Sequence, residues 1–493
     1  MKRSILPLVI SFLISSNLVA QADTSQMLDS FIQNTLERSE IVPSVSIAIV
    51  SDKEVLYQQT FGYADWEKEQ PATNQNNYYI ASCTKAFNGL LAHILAEEGK
   101  LELNAPILNY KPFKDFKRKD VFQNITILDL LSHQSGIDNP YLSFRLAYTG
   151  DYTDAEILKL IEEETESNEA GKAFEYTNFG YYLFDYLLQA ELGKSWKDLL
   201  DEKLFQPLGM ENSTAYASKV PVEKLARPHS GVFQGKVNVS LLQKSDALMH
   251  AAGGLMTNVE DAATFLQFYL GKGQGIYSKG LVENSFRQQV EAKHEYVRVF
   301  DGQGYASGWR IGEFGKEKIV YHFGGYTGYF AHYSFIPDKN IGMAVFSNTD
   351  MGMTAGNLIS KYAYNLYLGN KKQVKRAEKI LDKKVPKALA KERKAQLAHE
   401  QKMAERTWNL SLPKDQYAGT FTSEKYGSVE IRYESGQFVA VAGNLKTVAT
   451  PFPTENTMRV ELVPGSGTII GFDLTDGKVV SLFHQRETFM KVK

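Results

Sequence analysis

The residues best suited to chemistry in this 493-residue chain lie together in the stretch Ala81-Ser82-Cys83-Thr84-Lys85. A serine hydroxyl becomes a nucleophile only when a neighbour takes its proton. A helix beginning near Ser82 supplies that neighbour, because residues i and i+3 share a face and the amine of Lys85 then stands one turn above the hydroxyl. The free N–H groups at such a helix start also favour developing negative charge. Cys83, the chain's one cysteine, is turned about 100° from Ser82 on that helix. A catalytic thiol needs its own histidine and a lowered pKa, and the sequence offers Cys83 neither, so it reads as a small apolar packing residue. The plain alternative for Ser82 is an N-cap.

Other positions change that balance. A second copy of the spacing, Ser411 to Lys414, carries Pro413 and no apolar support for a helix interior. Tyr176-Thr177-Asn178 stands just before a predicted helix. A phenol beside an ammonium gives up its proton more readily, and an asparagine amide can hold a carbonyl or orient a lysine. His322-Phe323-Gly324-Gly325 falls on a predicted strand, where small residues let the backbone approach a ligand. His133, beside Ser132, reads as structural. His229-Ser230-Gly231, after Pro228, reads as loop. His399-Glu400 begins like a zinc-protease motif, but Met403 occupies the second histidine's place. No metal and no cofactor is expected.

These groups need elements to hold them. "PSVSIAIV" and "VLYQQTFGYAD" alternate like strands around the turn "SDKE", after a helical "SQMLDSFIQNTLERSE". The helix from Ser82 has Leu90, Leu91, Ile94 and Leu95 on one face and Gly99 as its stop. Helical patterns recur at 126–132, 154–165, 178–191 and 258–270, and 318–348 reads as two or three antiparallel strands. Residues 371–406 are charged, helix-forming and broken at Pro386, and read as a solvated connector. After Tyr417 short alternating strands follow, with Ser435-Gly436 and Asp476-Gly477 at two-residue hairpin turns, which predicts a small barrel or sandwich.

The length exceeds that of one core and favours two domains. At 43% hydrophobic and 23% charged residues the chain is globular. Its net charge of -2 provides no overall field for nucleic acid, so no nucleic-acid partner is expected. Residues 1–22 carry Lys2 and Arg3, an apolar run and Ala20-Gln21-Ala22, the pattern of a signal peptide cleaved before Asp23. The run is short for a span and holds Pro7, so no integral membrane segment is expected after cleavage. The expected location is periplasmic or secreted. One cysteine excludes an internal disulfide.

With Ser82-x-x-Lys85, Tyr176-x-Asn178 and His322-x-Gly324 in this order, the chain resembles the serine β-lactamase and penicillin-binding protein superfamily, most of all its class C branch and the related esterases and D-aminopeptidases. The resemblance covers about residues 24–365 and extends to "ITILDLLSHQSGI", "PLGMENS", "AAGGLMTNVEDAATFLQ" and "FIPDKNIGMAVFSN". It implies an α+β fold, an α/β/α sandwich with a central antiparallel sheet over 23–370. A connector over 371–412 and a small antiparallel β-barrel over 413–493, similar to a lipocalin-like barrel, would follow. It further implies that Ser82 is the nucleophile, Lys85 its proton partner and Tyr176 the general base that later serves the leaving group. Asn178, His322, Gly324 and Gly325 would bind substrate, the oxyanion resting on the N–H groups of Ser82 and Gly325.

At His322 and Phe323 the chain departs from the Lys-Thr-Gly form, and with it loses a fixed cation and a hydroxyl for a substrate carboxylate. The expected reaction is therefore acyl transfer from a small peptide containing a D-amino acid. A carboxylesterase, a weak β-lactamase and a non-catalytic binder of penicillins or cell-wall fragments are the alternatives. Two roles are open to the barrel, capping the cleft or holding a homo-oligomer together.

Overall fold

The computed structural model describes residues 6–492 apart from 41, 112, 168–171, 233–235, 241, 294–298 and 350. Its first strand, β1 (Ser44–Val50), is buried along its whole length, which a strand achieves only with cover on both faces. Six longer strands and two short ones build the sheet around it: β2 (Val55–Asp65), β3 (Gln70–Pro71), β4 (Val290–Glu291), β5 (Asp301–Tyr305), β6 (Arg310–Phe314), β7 (Glu317–Tyr326), β8 (Tyr329–Ile336) and β9 (Ile341–Ser347). They lie in the order β4-β5-β6-β7-β8-β9-β1-β2-β3, antiparallel throughout. The first and last long strands of this larger unit thus meet inside the sheet, where β1 pairs with β9 from Val45 opposite Ser347 to Val50 opposite Gly342.

Side-chain alternation sends the two halves of each strand into different cores. Val45, Ile47 and Ile49 of β1, with Met343 and Val345 of β9, pack against α1 (Leu6–Ser39), α6 (Gly352–Tyr367) and α7 (Lys371–Lys383). Ala48 and Val50, with Ala344 and Phe346, face a larger core containing α2 (Thr84–Glu97), α4 (Phe179–Leu192) and α5 (Val259–Leu270). This is the expected α/β/α sandwich. The short α3 (Pro140–Phe144), which runs into a π-turn at Arg145–Thr149, belongs to the same side.

The sequence pattern gave α2 one apolar face, whereas the structure buries every residue from Thr84 to Leu95 except His93. The helix is the axle of the larger core, and there Leu90, Leu91, Ile94 and Leu95 contribute roughly 1.5–3 kcal/mol each by burial. The charged stretch from 371 also divides. Val374, Ala377 and Leu381 of α7 are buried against α1 and α6, so this half joins the core beneath the large sheet. The other half, α8 (Val385–Ala404), carries Pro386 in its first turn and buries no residue, as a solvated connector does. Residues 1–5 of the expected signal segment lie outside the described residues. Among the described residues no helix is long and apolar enough to cross a membrane.

The C-terminal strands close into a nearly complete barrel: β10 (Gly419–Ser423), β11 (Gly427–Glu434), β12 (Gln437–Ala442), β13 (Leu445–Val448), β14 (Thr450–Pro451), β15 (Thr457–Val460), β16 (Thr468–Thr475), β17 (Lys478–His484) and β18 (Glu487–Lys491). Their order is β13-β12-β11-β10-β18-β17-β16-β15-β14. Ser435-Gly436 and Asp476-Gly477 turn the chain with positive φ at both positions, the signature of a type I′ hairpin. The barrel docks on the larger unit beside the π-turn. The carbonyl of Thr149 accepts from the backbone N–H of Asn444 at 2.8 Å and from its side-chain Nδ2 at 2.9 Å. Lys159 pairs with Glu424 and Lys425 with Glu164, exposed contacts that set orientation more than stability.

Candidate active site

Ser82 sits in a single 3-10 turn, Ala81–Cys83, that leads into α2. The N-cap position of this turn is Ile80 and that of α2 is Cys83, so the N-cap alternative does not describe Ser82. Ala81 holds a φ of 45°, a left-handed conformation that costs a non-glycine residue roughly 1–2 kcal/mol. The turn is held by the N–H of Ile80 on the carbonyl of Leu255 at 3.0 Å and that of Cys83 on Ile80 at 3.1 Å. Strain fixed in this way at one residue aims the next one. Cys83 points into the core, with its Sγ 3.5 Å from the carbonyl of His322, and burial pushes its thiol far above the usual range.

Lys85 is fully buried and its ammonium has three donors. Two of them have fixed acceptors, Asn178 Oδ1 at 2.8 Å and the carbonyl of Ala252 at 2.8 Å. The third points at Ser82 Oγ, 3.2 Å away. Burial lowers the lysine pKa, and the positive charge of Arg310 lowers it further, while Tyr176 opposes the shift. In the neutral amine the two N–H groups keep their acceptors, and the lone pair faces the serine hydroxyl. One proton therefore decides whether Lys85 donates to Ser82 or accepts from it. Asn88 donates to the carbonyl of Ala251 at 2.8 Å, which pins the segment carrying Ala252 to the same helix.

Tyr176 ends the loop before α4 and Asn178 is the residue preceding that helix. The tyrosine is 37% exposed, and its ring lies 5.0 Å from Lys85 Nζ. Two neighbours that the sequence had not assigned to the site hold it. The ring of His133 packs 4.3 Å from it, centroid to centroid, and the guanidinium of Arg310 stands over it at 5.2 Å. Arg310 forms no ion pair with a carboxylate among the described residues. His133 accepts the N–H of Thr177 at 3.3 Å on Nδ1, so Nε2 carries the proton of the neutral ring, and there it finds no acceptor among the described residues. Burial first, then the charges of Lys85, His322 and Arg310, keep this imidazole far below its ordinary pKa.

His322 is buried on β7. Its Nδ1 faces the carbonyl of Phe323 at 2.7 Å and must donate, so Nε2 accepts from the hydroxyl of Tyr305 at 3.0 Å. Expected as a substrate-binding residue, it has neither ring nitrogen free, and burial with Arg310 and Lys85 nearby holds it neutral. Phe323 turns to the opposite face and packs on Phe300 and His332. The ladder between β6 and β7 ends at Arg310 opposite Tyr321, which leaves the β7 edge from His322 onward facing the Ser82 turn. Gly324 is there because nothing larger fits: a Cβ would overlap the carbonyl oxygen of Ile80 and lie 3.2 Å from the Ser82 nitrogen. A Cβ on Gly325 would meet nothing within 4 Å.

The remaining histidine candidate is not a loop residue. His229 opens a short strand, His229–Val232, and its buried Nε2 accepts the N–H of Trp66 at 3.1 Å. The second Ser-x-x-Lys copy is apart from the site, Ser411 Oγ bonding Asn456 Oδ1 at 2.8 Å. His133 was read as structural, and the structure places its ring against Tyr176. Arg310 and Tyr305 escaped the sequence reading because they lie outside every motif and ahead of the strands predicted from 318 onward.

Among known proteins, the chain is 27% identical over 334 residues to Protein flp of Staphylococcus aureus strain MW2, covering 66% of this chain and 63% of that protein. The chain thus matches less than two thirds of that relative's length. Of solved structures, the octameric penicillin-binding protein homologue from Pyrococcus abyssi superposes with a TM-score of 0.60 at 24% identity, covering 94% of this chain and 99% of that one. The D-amino acid amidase from Ochrobactrum anthropi SV3 gives 0.59 at 21%, covering 72% and 99%. The family model described as Beta-lactamase matches residues 28–362, which include Ser82, Lys85, Tyr176, Asn178 and His322, and the chain belongs to that family.

Proposed function

We propose that this chain is an exported serine hydrolase that cleaves an amide in a peptide containing a D-amino acid, through an acyl-enzyme on Ser82. The observation that carries the reading is Lys85, buried, held by Asn178 and Ala252, and presenting its third position to Ser82 Oγ. In the forward step Ser82 Oγ bonds the substrate carbonyl carbon as its proton leaves toward Lys85 and Tyr176. The oxyanion is received by the N–H groups of Ser82 and Gly325, each worth about 3 kcal/mol in comparable sites. Tyr176 then gives a proton to the leaving amine, and water resolves the ester by the reverse path. His322 serves by fixing Tyr305, and Arg310 supplies fixed positive charge beside Tyr176. The likeness to a D-amino acid amidase supports the substrate class.

The second reading is a carboxylesterase. It is favoured by the side chains around Ser82 named above, which include no carboxylate to hold a substrate ammonium. Export to the periplasm or the medium rests on the sequence of residues 1–22. A fluorophosphonate probe should label the wild type and not Ser82→Ala. Equal labelling, or none, contradicts the hydrolase reading and favours a binding protein. In a panel of p-nitrophenyl esters, D- and L-aminoacyl anilides, nitrocefin and D-Ala-D-Ala peptides, the D-aminoacyl anilides should rank first. Esters ranking first would favour the second reading.

A further inference from the structure

Residues 371–406 carry thirteen lysines and arginines against five acidic residues. The whole chain stands at -2, so outside this segment the molecule is acidic by ten charges. In α7, Val374, Ala377 and Leu381 are buried, and the face opposite them carries Lys372, Lys375, Arg376, Lys379 and Lys383, all exposed. In α8 the exposed Lys387, Lys391, Lys394 and Lys402 share one face. Between the two helices the backbone stays helical. Lys384 has a φ of -95° and a ψ of -41°, its N–H donates to the carbonyl of Ile380 at 2.8 Å, and its own carbonyl accepts from the N–H of Ala388 at 3.0 Å. From Lys372 to Lys402 a lysine therefore recurs every three or four residues, with Ala398 in the one remaining place. The result is a basic ridge ~45 Å long at ~1.5 Å per residue.

Little on the molecule neutralises this ridge. Asp382 pairs with Arg38 of α1, a turn of ~100° per residue carries Glu392 and Glu400 away from the lysines, and Glu405 comes after the last of them. None of the ridge lysines pairs with a carboxylate among the described residues. The opposite side of the two helices is taken up by α1, which packs on both and whose Glu40 end is held by Arg393.

We propose that the ridge of α7 and α8 docks the protein peripherally on an anionic lipid bilayer. Lysines near a negatively charged lipid surface are each drawn to it, and a straight ridge brings many of them to one plane at once. The acidic remainder of the molecule is repelled by the same surface, which fixes the orientation of docking. Nucleic acid fits less well, because residues 371–406 contain no aromatic side chain on which a base could stack. The ridge consists almost wholly of lysines, point charges without the planar fork that selects single phosphates, so it suits a surface of many diffuse charges. Insertion is not implied, since the apolar stripe of α7 is already used against α1 and α6. The sequence of α1 begins in the apolar run read as an export signal, which puts the ridge beside the segment that such a signal holds at a membrane. The surface is independent of the hydrolase reading, because none of its residues belongs to the Ser82 cluster.

The full chain should cosediment with vesicles of two parts phosphatidylcholine to one part phosphatidylglycerol, and at least tenfold less with phosphatidylcholine alone. Salt at 1 M, which shortens the screening length to about 3 Å, should release it. The combined variant Lys387→Glu, Lys391→Glu, Lys394→Glu, checked by circular dichroism and thermal unfolding, should bind at least tenfold more weakly; if it unfolds, the matching glutamine variant carries the test. Lys111→Glu, Lys114→Glu, Lys119→Glu makes the same change in net charge around Phe113 of the larger core, on the other side of the sheet, and should bind within twofold of wild type. The proposal is overturned by equal binding to phosphatidylcholine alone, by binding that 1 M salt leaves intact, by a folded ridge variant that binds unchanged, or by an equal loss in the Phe113 variant. Polyphosphate bound tenfold more tightly per phosphate than the vesicles would also overturn it, by making a soluble linear polyanion the occupant.

Discussion

Nζ of Lys85 stands 3.2 Å from Oγ of Ser82 while the side-chain oxygen of Asn178 and the backbone carbonyl of Ala252 claim its other directions. Removing the amine leaves Ser82 with no base on that side. Lys85→Ala should lower kcat/KM by roughly 10²–10⁴-fold, the span of one positioned proton-transfer group, and Lys85→Arg should not restore it, since a guanidinium stays protonated. The neutral amine is the accepting form, and its pKa is lowered from the ordinary 10.5. Activity should therefore rise as pH rises through that lowered value. A wild-type profile that falls across this limb, or activity recovered by Lys85→Arg, contradicts the assignment.

Gly324 and Gly325 are adjacent yet differ in what a methyl would meet. Gly324→Ala should push β7 away from the Ser82 turn and reduce kcat on the order of 10²-fold, as a displacement near 1 Å does in an oriented site. Gly325→Ala should change kcat little. Steady-state rates and fluorophosphonate labelling rates of the two variants check this, and the reverse ranking would mean that a different residue faces Ser82.

His133 supports Tyr176 from two sides, by its ring and by accepting the N–H of Thr177. His133→Ala leaves that buried N–H without a partner, at a cost of roughly 1–3 kcal/mol, and removes the wall behind the phenol. We expect a lower Tm and a kcat reduced more than KM is changed. His133→Asn offers an acceptor but no ring, so Tm should recover and kcat should not. Recovery of both would assign His133 a purely structural role.

Gly443 carries a φ of 54°, and a Cβ there would overlap the carbonyl oxygen of Thr149. Gly443→Ala should loosen the barrel from the π-turn without touching Ser82. If the barrel restricts the cleft, the ratio of kcat/KM for long over short peptides rises in this variant. If it holds an oligomer together, size-exclusion elution shifts instead. An unchanged ratio together with unchanged elution removes both roles.

Much of the architecture was legible in local pattern. The hairpin at 44–65, the three strands of 317–347 and the type I′ turns Ser435-Gly436 and Asp476-Gly477 follow from alternation and turn chemistry. The fate of 371–383 was not, because a charged amphipathic helix looks the same whether its narrow apolar stripe meets α1 or water. His229 misled because a single proline before it resembles a loop signal, while the strand pairing that claims it comes from 236–239.

Taken alone, the sequence determined which residues lie close along the chain: Ser82 and Lys85 on one turn, Tyr176 and Asn178 at one helix start, Cys83 turned inward between its neighbours. These are set by helical spacing and residue chemistry. Only the tertiary structure decided the electrostatics of the site, since the burial that depresses Lys85 and the charge of Arg310 come from α2 being sealed inside the core and from β6 beginning beside Tyr176. It likewise turned His322 from an available donor into a neutral ring spanned by Phe323 and Tyr305. Hydrogen-bond partners and dielectric surroundings are properties of neighbours far apart in sequence, and no spacing along the chain specifies them.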